Sequence, residues 1–190
     1  AICEQVEDAS EADGIVDRQV VETVTPGTVL HDTLLQATRN NFLVAVVEGS
    51  GSESELRAHF GNSAVRASGA SPSSKSAEPS SIYGVASLDL STGEFGLQAC
   101  RTWELRAELG RLEPSEILLP RSLEGLLGGR SDGSGPEEPI ATYRDDWLFD
   151  LGTARDEIQR RYQIQSLDGF GFQDEDEVLV RAAGGLLAYV

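Results

Sequence analysis

Hydrophobic residues along the chain fall into short blocks separated by polar text rich in Gly and Pro. The unbroken run Phe42, Leu43, Val44, Ala45, Val46 and Val47 has strand length and predicts a central strand covered on both faces. Residues 83–90 alternate, with Tyr83, Val85, Ser87 and Asp89 on one side and Gly84, Ala86, Leu88 and Leu90 on the other. Ser91, Thr92 and Gly93 make a tight connection, and 94–100 put Phe95, Leu97 and Ala99 on one face, which together predict a β-hairpin. Thr102 is the expected N-cap of a helix with Trp103, Leu105, Leu109 and Leu112 as its stripe, stopped by Pro114. A short buried strand follows at 116–119, ended by Pro120, then a brief helix at 123–127 and a strand at 140–143. Thr153 is expected to cap a second helix with Ala154, Ile158, Arg161 and Tyr162 on its face. The last helix, over 178–190, is apolar at Leu179, Ala183, Leu186 and Val190. Its small residues Ala182, Ala183, Gly184 and Gly185 leave it slim enough to approach a neighbour closely. Three antiparallel strands followed by strand and helix alternation predict an α/β fold, a mixed sheet with helices on its faces.

The flanking text sets the boundaries. Residues 2–24 offer an apolar start, an acidic run at 7–13 and a β-branched alternation at Val16, Val20, Val21 and Val24, enough for two strands but not for a core. Pro26 and Gly27 punctuate the chain and mark a domain boundary, because Pro fixes φ and Gly tolerates conformations closed to other residues. Residues 49–81 are dominated by Ser, Gly, Ala and Pro, a composition that cannot offset ordering entropy and reads as a long surface insertion. Leu56, His59 and Phe60 can form one helical turn within it. The first residues, with no Met anywhere, read as an element already under way, so the text is expected to be a segment of something longer.

Charge narrows the function. Thirty-two acidic against 15 basic side chains leave a formal charge of −17, the wrong sign for a surface that grips phosphate unaided. Lys75 is the only lysine, so the acid excess and the Arg preference fit either a saline cytoplasm or a codon bias toward Arg. No apolar stretch approaches the roughly 18 to 20 residues of a membrane span. Cys3 and Cys100 show no paired spacing, which points to a reducing, cytoplasmic setting without a disulfide framework.

The order of elements is that of RNase H-like folds, whose carboxylates hold divalent metals. Asp89, Glu94, Asp145 and Asp146 are therefore the residues to test as a metal cluster, and a free-standing RNase H-like metal-dependent nuclease is the alternative function. The fit is poor, because the run from Phe42 to Val47 carries no carboxylate. No G-x-x-x-x-G-K-[ST] phosphate cradle occurs; the glycines at 128, 129, 133 and 135 and the Gly169-Phe170-Gly171 triplet read as turns. His31 and His59 stand apart from each other and from the cysteines and are expected at the surface. Trp103 and Trp147 are expected in the core or at its rim. No catalytic, cofactor-binding or metal residue is assigned.

Several runs carry a family resemblance. AICEQVED over 1–8 and VTPGTVL over 24–30 resemble the end of the mismatch-binding domain of the bacterial MutS family. NNFLVAV over 40–46, ASLDLSTGEF over 86–95, RLEPSEILLP over 111–120, FDLGTAR over 149–155, SLDGFG over 166–171 and RAAGGLLAYV over 181–190 resemble that family's connector domain in the same order. The joint order is specific and spans nearly the whole chain. The long piece at 49–81 departs from the family's usual short connection.

The resemblance implies a division at 28. Residues 1–28 would be the end of mismatch-binding domain I with a linker, and 29–190 the connector, domain II, of RNase H-like fold. The parent would be a dimeric DNA mismatch recognition ATPase. Its mismatch-reading motif and its ATP and magnesium sites lie outside the segment, which would itself be no enzyme and carry no cofactor. The family role of the connector is to relay conformational change and to dock MutL around the helix that follows the FDLGTAR-like run. That places the expected MutL contact at Thr153, Arg155, Asp156, Glu157 and Gln159; relatives often carry uncharged amides where Asp156 and Glu157 stand.

Overall fold

The computed structural model describes residues 2–5, 18–22, 24–28, 40–50, 58–59, 81–128 and 139–190. Two short strands, β1 (Ile2–Gln5) and β2 (Arg18–Glu22), pair antiparallel as the two-stranded reading of this region expects. The remaining strands are β3 (Phe42–Glu48), β4 (Ile82–Asp89), β5 (Glu94–Arg101), β6 (Glu116–Pro120) and β7 (Ile140–Arg144). They form one five-stranded sheet in the order β5-β4-β3-β6-β7. The β5, β4 and β3 ladders are antiparallel, and β3 pairs parallel with β6, which pairs parallel with β7. The chain is therefore a mixed α/β fold, as predicted.

Alternation along the strands builds two cores. On one face Phe42, Val44, Val46, Tyr83, Val85, Ile117 and Leu119 pack against Leu105, Leu109 and Leu112 of α1 (Thr102–Leu112). On the other, Leu43, Ala45, Val47, Ala86, Leu88 and Leu118 meet Phe149, Ala182 and Leu186, the last two from α3 (Glu177–Tyr189). Helix α2 (Leu151–Tyr162) lies outside α3 and meets it through Ala154, Ile158, Val180, Ala183 and Leu187. The small residues of α3 make this layering possible. A Cβ on Gly184 would stand 2.3 Å from the Ala154 Cα, and one on Gly185 would stand 2.3 Å from the Phe149 ring. On β4, a Cβ at Gly84 would stand 2.3 Å from the Val178 carbonyl oxygen, so the start of α3 rests directly on the sheet. The close approach expected of the slim helix is what the fold uses.

Several local expectations are corrected. Helix α1 begins at Thr102 itself; Arg101 is the N-cap, and the Glu104 carboxylate accepts its N–H at 2.9 Å. Helix α2 begins two residues before Thr153, with Asp150 as N-cap, so Thr153 lies inside the first turn. Trp103 leaves the α1 stripe and is 61% exposed, beneath the Arg101 guanidinium at 5.1 Å from the ring centroid. Trp147 is 59% exposed, so neither indole is core. Tyr162 is also exposed and meets Phe170 rather than the sheet. In place of a helix at 123–127 there is a 3-10 turn, Arg121–Leu123, followed by further turns. His59, expected at the surface, has a side chain only 10% accessible, with Nε2 3.1 Å from the Glu175 carbonyl and 3.7 Å from the Asp176 carboxylate. His31, most of the 49–81 piece and the glycines at 129, 133 and 135 lie outside the described residues.

Candidate functional site

The four carboxylates of the nuclease alternative do not converge. Asp89 ends β4 and Glu94 begins β5, and the two are paired across the hairpin beside Phe42, the first residue of β3. Asp145 and Asp146 follow β7 at the opposite edge and opposite end of the sheet, because Arg144 pairs with the last residue of β6. Each carboxylate has local work. Asp89 accepts from the Ser91 N–H at 2.8 Å, the Ser91 hydroxyl at 2.6 Å and the Asn41 N–H at 3.1 Å. Burial alone pushes the Asp89 carboxyl up, but these hydrogen bonds, with one from Thr92, outweigh it and hold its pKa below the usual carboxylate range. Glu94 accepts from Asn40, Asp145 pairs with Arg121 at 3.0 Å, and Asp146 accepts the Ser122 N–H. Among the described residues no group of three or more His, Cys, Asp or Glu side chains is placed to hold a metal ion. The nuclease alternative has no support. Cys100 is a free, buried thiol on the α1 face, and burial followed by the Glu108 and Glu104 carboxylates pushes its pKa up to about 11, so it is no nucleophile.

Helix α2 holds all five residues expected to meet MutL. Its inner stripe, Ala154 and Ile158, is buried on α3, and 100° per residue then fixes where the others stand. Asp156 lies at the middle of the outer face. Arg155 and Gln159 lie on one flank, Thr153 and Glu157 on the other, so the five wrap the outer half of the helix rather than line one stripe. Two of them are already engaged. Glu157 accepts from Arg160 at 2.7 Å and pairs with Arg161 at 3.5 Å, and the Gln159 amide donates to the Gln165 carbonyl at 3.0 Å. Arg155 and Asp156 are the exposed charges of the group.

A second, more tightly built site lies where the 24–28 segment meets the sheet, and the sequence reading did not find it. Pro26–Thr28 forms a single 3-10 turn locked by Thr25 and Thr28, whose hydroxyls are 3.0 Å apart. Gly27 is buried, and a Cβ there would stand 2.9 Å from the Leu43 side chain, so only glycine brings the backbone this near. Asn41, just before β3, donates its side-chain amide to the Pro26 carbonyl at 2.8 Å. At the centre is Glu116, the first residue of β6 and fully buried on the α3 face. Its carboxylate accepts the Gly27 N–H at 3.1 Å, the Thr142 hydroxyl of β7 at 2.6 Å and the Tyr189 hydroxyl of α3 at 2.7 Å. Three donors from three elements compensate a charged group that would otherwise be costly to bury. The Arg144 guanidinium lies 4.8 Å from the Tyr189 ring centroid. Burial, reinforced by the Glu116 carboxylate, raises the Tyr189 pKa. Above this junction a cleft of about 350 Å³ opens between Thr28, Trp147 and Tyr189. Among the described residues no helix is long and apolar enough to cross a membrane.

Comparison with known proteins fits this geometry. Residues 41–190 match the family described as MutS domain II, and 1–33 match MutS domain I. The chain is 39% identical over 199 residues to the DNA mismatch repair protein MutS of Thermosynechococcus vestitus, covering all of this chain and 19% of that protein. It is 37% identical over 198 residues to the DNA mismatch repair protein MutS of Synechococcus sp. strain JA-2-3B'a(2-13), again covering all of this chain and 20% of that protein. The MutS of Trichormus variabilis is similar at 37% over 198 residues and the same coverage. The chain thus spans roughly a fifth of the length of these relatives. The buried 24–28 junction lies between the end of the first domain's strands and the start of the second domain's sheet, and the chain belongs to the MutS family of DNA mismatch repair proteins.

Proposed function

We propose that this chain is the non-catalytic connector segment of a MutS-like mismatch recognition ATPase, acting in the cytoplasm. It relays conformational change between the mismatch-binding domain and the lever and ATPase parts, and it docks MutL. In this reading 1–28 are the end of domain I with its linker, 29–190 are the connector and 49–81 are an insertion in it. The strand order β5-β4-β3-β6-β7, antiparallel then parallel, supports an RNase H-like connector. Its partners are MutL, the remaining domains of its own chain, and mismatched DNA through the intact parent dimer. The segment contributes no cofactor site; ATP and magnesium belong to the parent's ATPase part, consistent with a sequence that carries no phosphate cradle.

One observation carries the relay: the 24–28 turn, inside the domain I match and ahead of the domain II match, is held by buried contacts rather than left as a free tether. A free tether transmits no orientation, whereas a seated one moves with what it is seated in. The docking half rests on α2, whose inner stripe is fixed on α3 while Arg155 and Asp156 stand outward. Calorimetric titration of the full-length protein with MutL of the same organism tests it. Charge reversal by Asp156→Lys together with Glu157→Lys is expected to weaken binding about tenfold, the scale of one lost charge-assisted contact. Unchanged affinity removes the docking assignment.

A further inference from the structure

The relay reading leaves open which side chains tie the linker to the rest of the connector, and the buried junction answers this. Glu116 accepts from Gly27, 89 residues earlier, and from Tyr189, 73 residues later, while Thr142 holds the same carboxylate from the neighbouring strand. Linker turn, strand β7 and the end of α3 are thus joined through one shared carboxylate. The turn lies inside the stretch matching MutS domain I, residues 1–33, and Tyr189 ends α3, on which α2 is packed.

We infer that Glu116 is the positioning residue of the relay, a polar latch that couples the seat of the 24–28 turn to the C-terminal end of α3 through the Tyr189 hydroxyl. The inference rests on the relay reading for its purpose, but not for its existence. With the latch made, the turn cannot lift from Leu43 without stripping the Gly27 N–H from the Glu116 carboxylate, and α3 cannot shift at its end without stripping the Tyr189 hydroxyl from the same carboxylate. Such a device favours its fully made arrangement, because each donor lost leaves the buried carboxylate less compensated. Coupling of this kind is reciprocal: what loosens one end must loosen the other by the same factor.

Hydrogen exchange of the full-length protein, read by mass spectrometry on peptides covering 24–28 and 182–190, tests this without DNA or MutL. Tyr189→Phe removes one hydroxyl and little volume. It is expected to speed exchange of the 24–28 peptide about fivefold or more. Glu116→Gln replaces one acceptor oxygen by a donor facing the Gly27 N–H, and is expected to speed exchange at both ends. The double variant is expected to exchange no faster at 24–28 than the faster single one, since both changes act through one shared carboxylate. If Tyr189→Phe loosens only its own peptide, or if the two effects simply multiply, the latch is overturned. The melting temperature of each variant is read alongside, and Tyr189→Phe remains informative should Glu116→Gln fail to fold. A failed latch leaves MutL affinity to judge the docking role, so the two readings fall separately.

Discussion

Gly184→Ala is the sharpest available test of how α2 is held on α3. The added Cβ would stand 2.3 Å from both the Cα and the Cβ of Ala154 and 2.6 Å from its carbonyl oxygen. Carbon atoms in contact prefer about 3.5 to 4.0 Å, so α2 and α3 must separate by about 1.2 Å or more along that line. None of the obstructing atoms is the far end of a flexible side chain, and a rotamer change cannot relieve the clash. The separation would be felt along the seam of Ala154, Ile158, Val180, Ala183 and Leu187. Overpacking of this kind costs about 1 to 3 kcal/mol, with the upper part of the range expected against backbone. Opposing it is the gain in helix propensity from Gly to Ala, about 1 kcal/mol. The net expectation is a loss of about 2 kcal/mol.

Gly110→Ala is the control, because it makes the same chemical change inside α1 where an added Cβ meets nothing within 4 Å. It is expected to stabilise by about 0.5 to 1 kcal/mol through propensity and lower unfolded-state entropy. The two variants should therefore differ by about 3 kcal/mol. With a urea slope of about 1 to 3 kcal/mol/M, their unfolding midpoints should lie about 1 M or more apart. Equal midpoints, or Gly184→Ala unfolding at the higher urea concentration, would refute the claim that helix contact rather than propensity selects glycine there. A displaced α2 would also carry Arg155 and Asp156 out of place, so under the proposed docking role Gly184→Ala should weaken MutL binding without touching an exposed residue.

Three further outcomes are expected. Asp89 has a folded-state pKa below its unfolded value of about 3.9, so its contribution is fully present above that value and is lost as pH falls through the folded pKa; the stability gap between wild type and Asp89→Asn, measured by urea unfolding, should be larger at pH 7 than at pH 2. Cys100, with its thiol pushed up to about 11, should resist Ellman's reagent at pH 8 in a Cys3→Ser background and react at once in denaturant, whereas rapid native reaction would contradict its burial. Trp103 and Trp147, both exposed, should give red-shifted fluorescence that iodide quenches with little change on unfolding, and a blue emission would place at least one of them in a core.

The fold was legible wherever local pattern and final environment agree. The apolar run from Phe42 to Val47 became the central strand, and Ser91 to Gly93 became the hairpin turn because Gly93 takes a φ of +74° closed to most residues. The small residues of α3 announced close packing, though not that Ala154 and Phe149 would fill the space. Cap residues misled for a physical reason. A hydroxyl such as that of Thr102 can cap, but Glu104 already serves the Arg101 N–H, and Thr102 instead donates to the Ser81 carbonyl at 3.3 Å. Trp103 failed because a single helical stripe can gain or lose its first member at the frayed end without changing the rest. The α2 surface was legible as a place, since its inner stripe fixes its outer face, yet the pairing of Glu157 with Arg160 and Arg161 shows that a predicted contact residue can already be engaged within its own helix.

Glu116 was illegible for a deeper reason. In sequence it follows Pro114 and Ser115 and opens the short strand expected to be buried at 116–119, but nothing within 20 residues marks its donors. Its donors at 27, 142 and 189 are adjacent only after the linker, the parallel strand and the last helix have come together. Without them the same carboxylate would be an uncompensated charge beneath α3, a loss of several kcal/mol. The sheet therefore tolerates Glu116 only when the linker turn is seated and α3 is complete. The seating of the 24–28 turn and the stability of that end of the sheet are thus one equilibrium, set by a carboxylate whose donors lie 89, 26 and 73 residues away along the chain.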